Sequence, residues 1–312
     1  GGDGGGGTAA PQDQRRRGAR SRSSGSLDGA ALVDPDGPGR PRHDCALKIV
    51  DKSEFWSRVR KGRERADTLV REVSVQTSLA VRPYAGSTGP PSGTSPSPFL
   101  RLRNVFETAE SLVLELELLG GTDLFRHVSS RGVLDEVEAA SIMRDLLSCL
   151  VVLDEVGVAH RDIKPANLLM CGDGSGGGTT AGPRVKLADF GMSSFVGVDN
   201  LVRGRCGTPG FVAPEILSAG PNGGYGNRAD VFSAGVTMYV MLSGYEPFLG
   251  ETDGELVEAN RRADVDYPPS EWRSVSVEGR DLIERMLERD PARRISPQDA
   301  LRHPWIKRRA PG

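Results

Sequence analysis

Strong charge of either sign is absent from this chain of 312 residues: 40 Lys and Arg face 42 Asp and Glu, a formal net charge of −2. That balance gives no reason to expect nucleic acid as a partner. Cysteine is scarce. Cys45, Cys149, Cys171 and Cys206 stand far apart, with no pair at metal-ligand or disulfide-framework spacing. Reduced thiols in an intracellular, cytoplasmic protein are therefore expected. Long apolar runs are missing too. The longest, Leu146 to Leu153, is interrupted by Ser148 and Cys149 and is too short to span a bilayer. The N-terminus has no apolar stretch of the signal-peptide kind, and no membrane partner is expected. What is present is 37% hydrophobic residues, enough for a core in one large domain or in two lobes sharing a cleft.

Residues 1–44 are rich in Gly, Arg, Ser, Pro and Asp and nearly devoid of large apolar side chains. Such a segment buries too little surface to offset its ordering entropy, so disorder is expected. Arg15-Arg16-Arg17 with Arg20 and Arg22 has the composition of a nuclear-import patch, against the plainer reading of a solvated basic tail. Cys45 to Val50 alternates as a strand. A helix is predicted from about Lys61 to Ala80, with Leu69, Val73 and Val75 among its apolar positions, then strands over Phe99 to Phe106 and Leu112 to Leu118. Arg82 to Pro98 and Cys171 to Pro183 read as floppy insertions. Beyond Gly120-Gly121 the pattern turns helical. Asp135 and Glu138 have capping-box spacing, and Ala140, Met143, Leu147 and Leu150 follow on one face. Val185 to Ala188 predicts a short strand. Ala229 to Leu242 is apolar nearly all round, as a buried central helix is, and Leu282, Ile283, Met286 and Leu287 mark a later amphipathic helix. Strands first and helices afterwards imply two lobes with a cleft between them.

Chemistry concentrates in two motifs. His160-Arg161-Asp162-Ile163-Lys164-Pro165-Ala166-Asn167 sets a base, a cation and an amide at fixed spacing, and Asp189-Phe190-Gly191 adds an acid suited to a metal ion. Together they are equipment for moving a phosphoryl group from a nucleotide to a hydroxyl. A lone Asp-Phe-Gly would be only a turn after a strand; its place shortly after Asn167 argues otherwise.

With these motifs, Ala46-Leu47-Lys48, the segment Cys206 to Glu215, the segment Leu242 to Phe248 and His303-Pro304-Trp305-Ile306, the chain from about Cys45 to Ile306 resembles the eukaryotic protein kinase family. Within it, the wording is similar to the calcium/calmodulin-dependent group of Ser/Thr kinases. The resemblance implies an α+β, bilobal protein-kinase-like fold. A small β-rich lobe of about 45–118, incomplete if its glycine strand is missing, precedes a larger helical lobe of about 119–306, and 307–312 is a short tail. It implies ATP and Mg²⁺ as cofactors and proteins with Ser/Thr acceptors as substrates. Asp162 is expected to take or orient the acceptor proton, and Lys164 to neutralise the transferred group. Lys48, paired with Glu72, is expected to hold the α- and β-phosphates. Asn167 and Asp189 are the expected metal ligands, and Thr208 is expected to bond near Asp162 and Lys164. Leu116 aligns with the residue at the back of the nucleotide pocket, Glu117 and Leu119 with backbone contacts to adenine, and Asp123 with the ribose. His160 and Phe190 are expected to be buried packing groups, Glu215 to pair with Arg294, and Asp230 to bond the catalytic-loop backbone. No calmodulin-binding segment or EF-hand loop is found, so the residues do not support calmodulin as a partner.

The sequence departs from the resemblance in several places. Family members carry Gly-x-Gly-x-x-Gly-x-Val roughly fifteen residues before the strand lysine. Here Ser26 to Val33 lacks the three glycines, Asp28 stands among them, and the chain begins with Gly1 rather than Met, so a truncated or wrongly assembled N-terminus is expected. Ala166 replaces a Glu common in the group. Gln76 stands one turn after Glu72 where an apolar residue is usual, and Glu115 is unusual in its strand. No Ser, Thr or Tyr lies between Ser194 and Thr208, which removes the usual activating phosphosite. Three readings remain open at this level. One is a Ser/Thr protein kinase, one a pseudokinase or scaffold without its phosphate lid, and one, weaker, a small-molecule kinase of the same fold.

Overall fold

The computed structural model describes residues 45–80, 97–171, 185–204, 206–219 and 223–310. The glycine-poor stretch Ser26–Val33, the expected disorder of 1–44 and most of the two insertions lie outside them.

The first part is built on an antiparallel sheet of order β1-β3-β2, with β1 Cys45–Asp51, β2 Leu102–Glu107 and β3 Ser111–Glu117. Lys48 lies opposite Leu114 and Ala46 opposite Leu116, so pleat alternation puts Ala46 and Lys48 on the same face. The strand expected from Phe99 begins later, at Leu102. Phe99 and Leu100 instead bridge to Leu187, with Leu100 N–H donating to the Leu187 carbonyl at 2.8 Å, because both side chains are buried below the sheet.

The helix expected from about Lys61 to Ala80 begins later, at Thr68, and a separate helix that was not expected precedes that range. α1 (Lys52–Arg60) starts directly after β1, with Asp51 accepting from Glu54 N–H at 2.7 Å, and α2 (Thr68–Ala80) follows a turn. The buried side of α2 carries Glu72, Val75, Gln76 and Leu79, at the i, i+3, i+4, i+7 positions of one helical face. Glu72 and Gln76 are polar, as is the buried Thr68 one turn earlier, which is why an apolar pattern misplaces this helix.

The second part is helical. α3 (Leu124–Arg131), α4 (Glu136–Glu155), α5 (Pro214–Ser218), α6 (Arg228–Ser243), α7 (Asp253–Arg262), α8 (Pro269–Trp272), α9 (Val277–Met286), α10 (Pro297–Leu301) and α11 (Pro304–Arg309) follow in order. Short strand pairs link β4 (Val158–Ala159) to β7 (Ser194–Phe195), β5 (Leu168–Met170) to β6 (Val185–Leu187), and β8 (Val202–Arg203) to β9 (Gly224–Tyr225). α6 is buried from Ala229 to Leu242, as its all-round apolar sequence predicts, and it packs on α4 and α9. Asp135 caps α4 through the N–H groups of Val137 and Glu138, but the reciprocal half of a capping box is not made there. Glu138 turns instead to His127 and Arg131. A complete box forms at Thr252 and Glu255, at the start of α7. The expected ion pair between Glu215 and Arg294 is bidentate, at 2.6 and 2.9 Å.

Candidate active site

The loop after β4 carries the first motif, and its backbone is held in an unfavourable shape. Arg161 has φ 70° and Asp189 φ 60°, in the left-handed region that side chains with a Cβ avoid. The buried Asp230 of α6 fixes the first of these, accepting from the N–H groups of His160 and Arg161 at 2.7 and 2.8 Å. His160 is fully buried, bonds the Ala188 carbonyl at 3.1 Å and meets Phe190 edge to face. Both are packing groups, in keeping with the sequence expectation. Arg161 spends its guanidinium on the carbonyls of Met192 and Arg203.

Four polar residues meet beyond this frame. The Thr208 hydroxyl donates to Asp162 Oδ1 at 2.7 Å and accepts from Lys164 Nζ at 2.8 Å, while Lys164 Nζ lies 2.9 Å from Asp162 Oδ2. Asn167 donates to the Asp162 carbonyl at 2.7 Å and to its carboxylate at 3.0 Å. Both bonds use the amide nitrogen, so the amide oxygen is the atom left to face a cation.

A second group lies across the cleft. Lys48 Nζ is 2.6 Å from Glu72 Oε1 and 3.3 Å from Asp189 Oδ1, so β1, α2 and the second motif converge on one ammonium. Burial disfavours the charge on Lys48, but Glu72 and Asp189 outweigh it and raise its pKa. Burial pushes Glu72 up, with Lys48 pulling it back. Burial also opposes ionisation of Asp189, yet Lys48, His160 and the Gly191 N–H hold its carboxyl below the usual carboxylate range. An ionised carboxylate and an amide oxygen are hard donors of the kind a Mg²⁺ ion takes.

Leu116, Leu100 and Ala188 form a small apolar cluster between the parts, with Ala46, Leu102, Leu119 and Leu169 packed against it. This cluster is flanked by the chain expected to meet adenine. Glu117 gives its N–H to the Arg101 carbonyl, so any contact it makes with an adenine is through its own carbonyl. Its side chain does something the sequence did not signal. Both carboxylate oxygens bind Lys186 of β6, at 2.6 and 2.8 Å, and one also accepts the Arg101 N–H. Asp123 is engaged in the cap of α3, accepting from Arg126 N–H at 2.8 Å. Glu115, unusual in its strand, accepts from Asn104 Nδ2 at 2.8 Å. Gln76 is 5% exposed, and its Oε1 is buried without a hydrogen-bond partner.

Comparison with known proteins meets this geometry. Residues 95–306 match the family described as the protein kinase domain. Myosin light chain kinase A of Dictyostelium discoideum is 31% identical over 262 residues, 84% of this chain and 79% of that protein. Calcium-dependent protein kinase 29 of Arabidopsis thaliana is 33% identical, over 86% of this chain and 47% of that protein. A match of that extent has to take in Lys48 and Glu72, which precede residue 95. Human calcium/calmodulin-dependent protein kinase type 1B is 37% identical over 205 residues, 66% of this chain and 57% of that protein. The chain thus spans about half the length of two of these three relatives. It belongs to the eukaryotic protein kinase family and resembles its calcium/calmodulin-dependent group.

Proposed function

We propose that this chain transfers the γ-phosphoryl group of ATP to Ser or Thr hydroxyls of proteins. The observation that carries the reading is the Thr208 hydroxyl bridging Asp162 and Lys164. It ties the segment that a peptide would meet to the residues that would do the chemistry. The acceptor O–H gives its proton to Asp162 as its oxygen bonds to the γ-phosphorus. The bond to the β,γ-bridging oxygen breaks, and ADP leaves. Lys164 offsets charge on the group in transit, and Lys48, oriented by Glu72, holds the α- and β-phosphates. Asn167 and Asp189 would hold Mg²⁺, which supplies charge neutralisation along the phosphates. Leu116, Glu117 and Leu119 would border the adenine. For Asp123 to meet the ribose, its carboxylate must serve both the sugar and the helix cap.

Arg161 is already held by two carbonyls, and the interval before Thr208 carries no hydroxyl. Activity is therefore expected without phosphorylation between Phe195 and Gly207. Phosphatase treatment that abolished transfer would overturn this.

Mg·ATP-dependent transfer to a Ser/Thr peptide library tests the main reading, with Asp189→Asn and Asp162→Asn losing roughly 10³-fold or more. A second reading, a scaffold with weak or no catalysis, is favoured by Ser26–Val33, where the phosphate-binding glycines are missing. Transfer no better than that of Asp189→Asn would favour it.

A further inference from the structure

Acids near the cleft are almost all engaged. Asp162, Asp189, Glu72, Glu215 and Asp230 each face a cation or donated N–H groups. Glu246 is different. It sits in the turn after α6, in the segment Tyr245-Glu246-Pro247-Phe248, partly buried, and among the described residues its carboxylate makes no hydrogen bond or ion pair. Burial alone pushes its pKa up to about 7, with no charged neighbour contributing.

Its position gives the carboxylate a use. Oε2 lies 2.6 Å from the point that a Cβ on Gly210 would occupy. Gly210 has φ 92° and stands two residues after Thr208, whose hydroxyl touches Asp162. At most roughly 7 Å of chain separates the two residues. The carboxylate fills the space that a side chain at 210 would take, beside the segment leading from the acceptor site. Ala166, on the catalytic loop, offers no charge to a peptide.

We propose that Glu246 is a specificity-determining residue that binds a Lys or Arg of the acceptor peptide, within roughly four positions of the phosphorylated hydroxyl. The inference rests on the kinase reading for its substrate and adds the residue that selects it. An unpaired acid beside a peptide path is completed by a cation that the peptide brings. The arriving ammonium or guanidinium supplies the partner that the fold withholds.

The test compares peptides that differ only in carrying Arg, Gln or Glu at each position flanking one Ser. For the wild-type protein, kcat/KM should favour Arg at one position. In Glu246→Gln the Arg-to-Gln ratio there should fall roughly 10- to 100-fold. In Glu246→Lys it should invert towards Glu-containing peptides, which a merely structural role would not produce. The same peptides, fluorescently labelled, are titrated by anisotropy against Asp189→Asn protein with and without each Glu246 change. Should no protein transfer phosphate, the kinase reading fails, and the binding arm still decides the role of Glu246. An Arg preference identical in wild type, Glu246→Gln and Glu246→Lys, by transfer and by anisotropy, overturns the proposal.

Discussion

A carboxylate without a partner has a cost that can be measured. Native Glu246 keeps its proton up to about pH 7, whereas an ordinary Glu loses it near 4.5. The folded state therefore binds more protons between those values, and stability falls as pH rises through that window. Above pH 7 the full penalty is present, about 1–3 kcal/mol once solvent screening is allowed for. Glu246→Gln should accordingly be more stable than wild type at pH 8 and no more stable at pH 4, as read by urea unfolding at both pH values. An equal difference at the two would show that the charge on Glu246 is not the cause. At this scale the sequence was most legible where identity and chemistry coincide. Asp162, Lys164, Asn167 and Thr208 meet in one group and Lys48 and Asp189 in another, as their residue types imply. It was least legible where a side chain serves a neighbour. Glu117 was read for its backbone, yet its carboxylate is taken by Lys186, 69 positions later. Asp123 was read for a ribose and caps a helix. No local pattern announces a partner so distant in sequence, although Asp123 followed by a helical run is an N-cap signal.

Elements were legible in proportion to how well their buried faces follow one rule. α6 is apolar nearly all round, and its predicted bounds agree with the structure to within a residue or two. α1 was missed although Asp51 and Glu54 have the same Asp-x-x-Glu spacing that located α4. Its short length and charged composition hid it, with Phe55 its one buried residue. α2 was misplaced because more than half of its described buried residues, Thr68, Glu72 and Gln76, are polar. Gln76 marks the consequence. A buried amide oxygen without a partner costs about 1–3 kcal/mol, and a leucine would fill similar volume without it. Gln76→Leu should raise Tm by several degrees. Because α2 also carries Glu72, a firmer helix should lower the KM for ATP or leave it unchanged. A fall in Tm would show that the amide is satisfied in a way the fold does not reveal.

For the molecule as a whole, a few long-range ties determine whether its parts act together. Glu117 and Lys186 join the end of the sheet to the strand that leads into Asp189, with Lys186 9% exposed. Breaking one side leaves the other charge buried, so Lys186→Met should cost about 3 kcal/mol, whereas Lys186→Met with Glu117→Leu should recover most of it. Chemical denaturation of the two single changes and the double measures the coupling, and simple additivity would show that the tie is not made in solution. The sequence predicted the two-part plan correctly from strands followed by helices. It gave no view of this tie, because ion pairs between distant elements leave no periodicity. No helix among the described residues is long and apolar enough to cross a membrane.

Gly210 and Glu246 carry a consequence for descent. A side chain at position 210 would meet the flexible end of Glu246 and would also strain a backbone held at φ 92°, so the two sites are not equally free to drift. A lineage that acquires a residue at 210 must turn the flexible carboxylate aside and accept the backbone strain as well, and loss of the acid leaves that strain in place. Related chains should therefore hold glycine at 210 even where the acid at 246 is gone, and their taste in substrates should follow the acid.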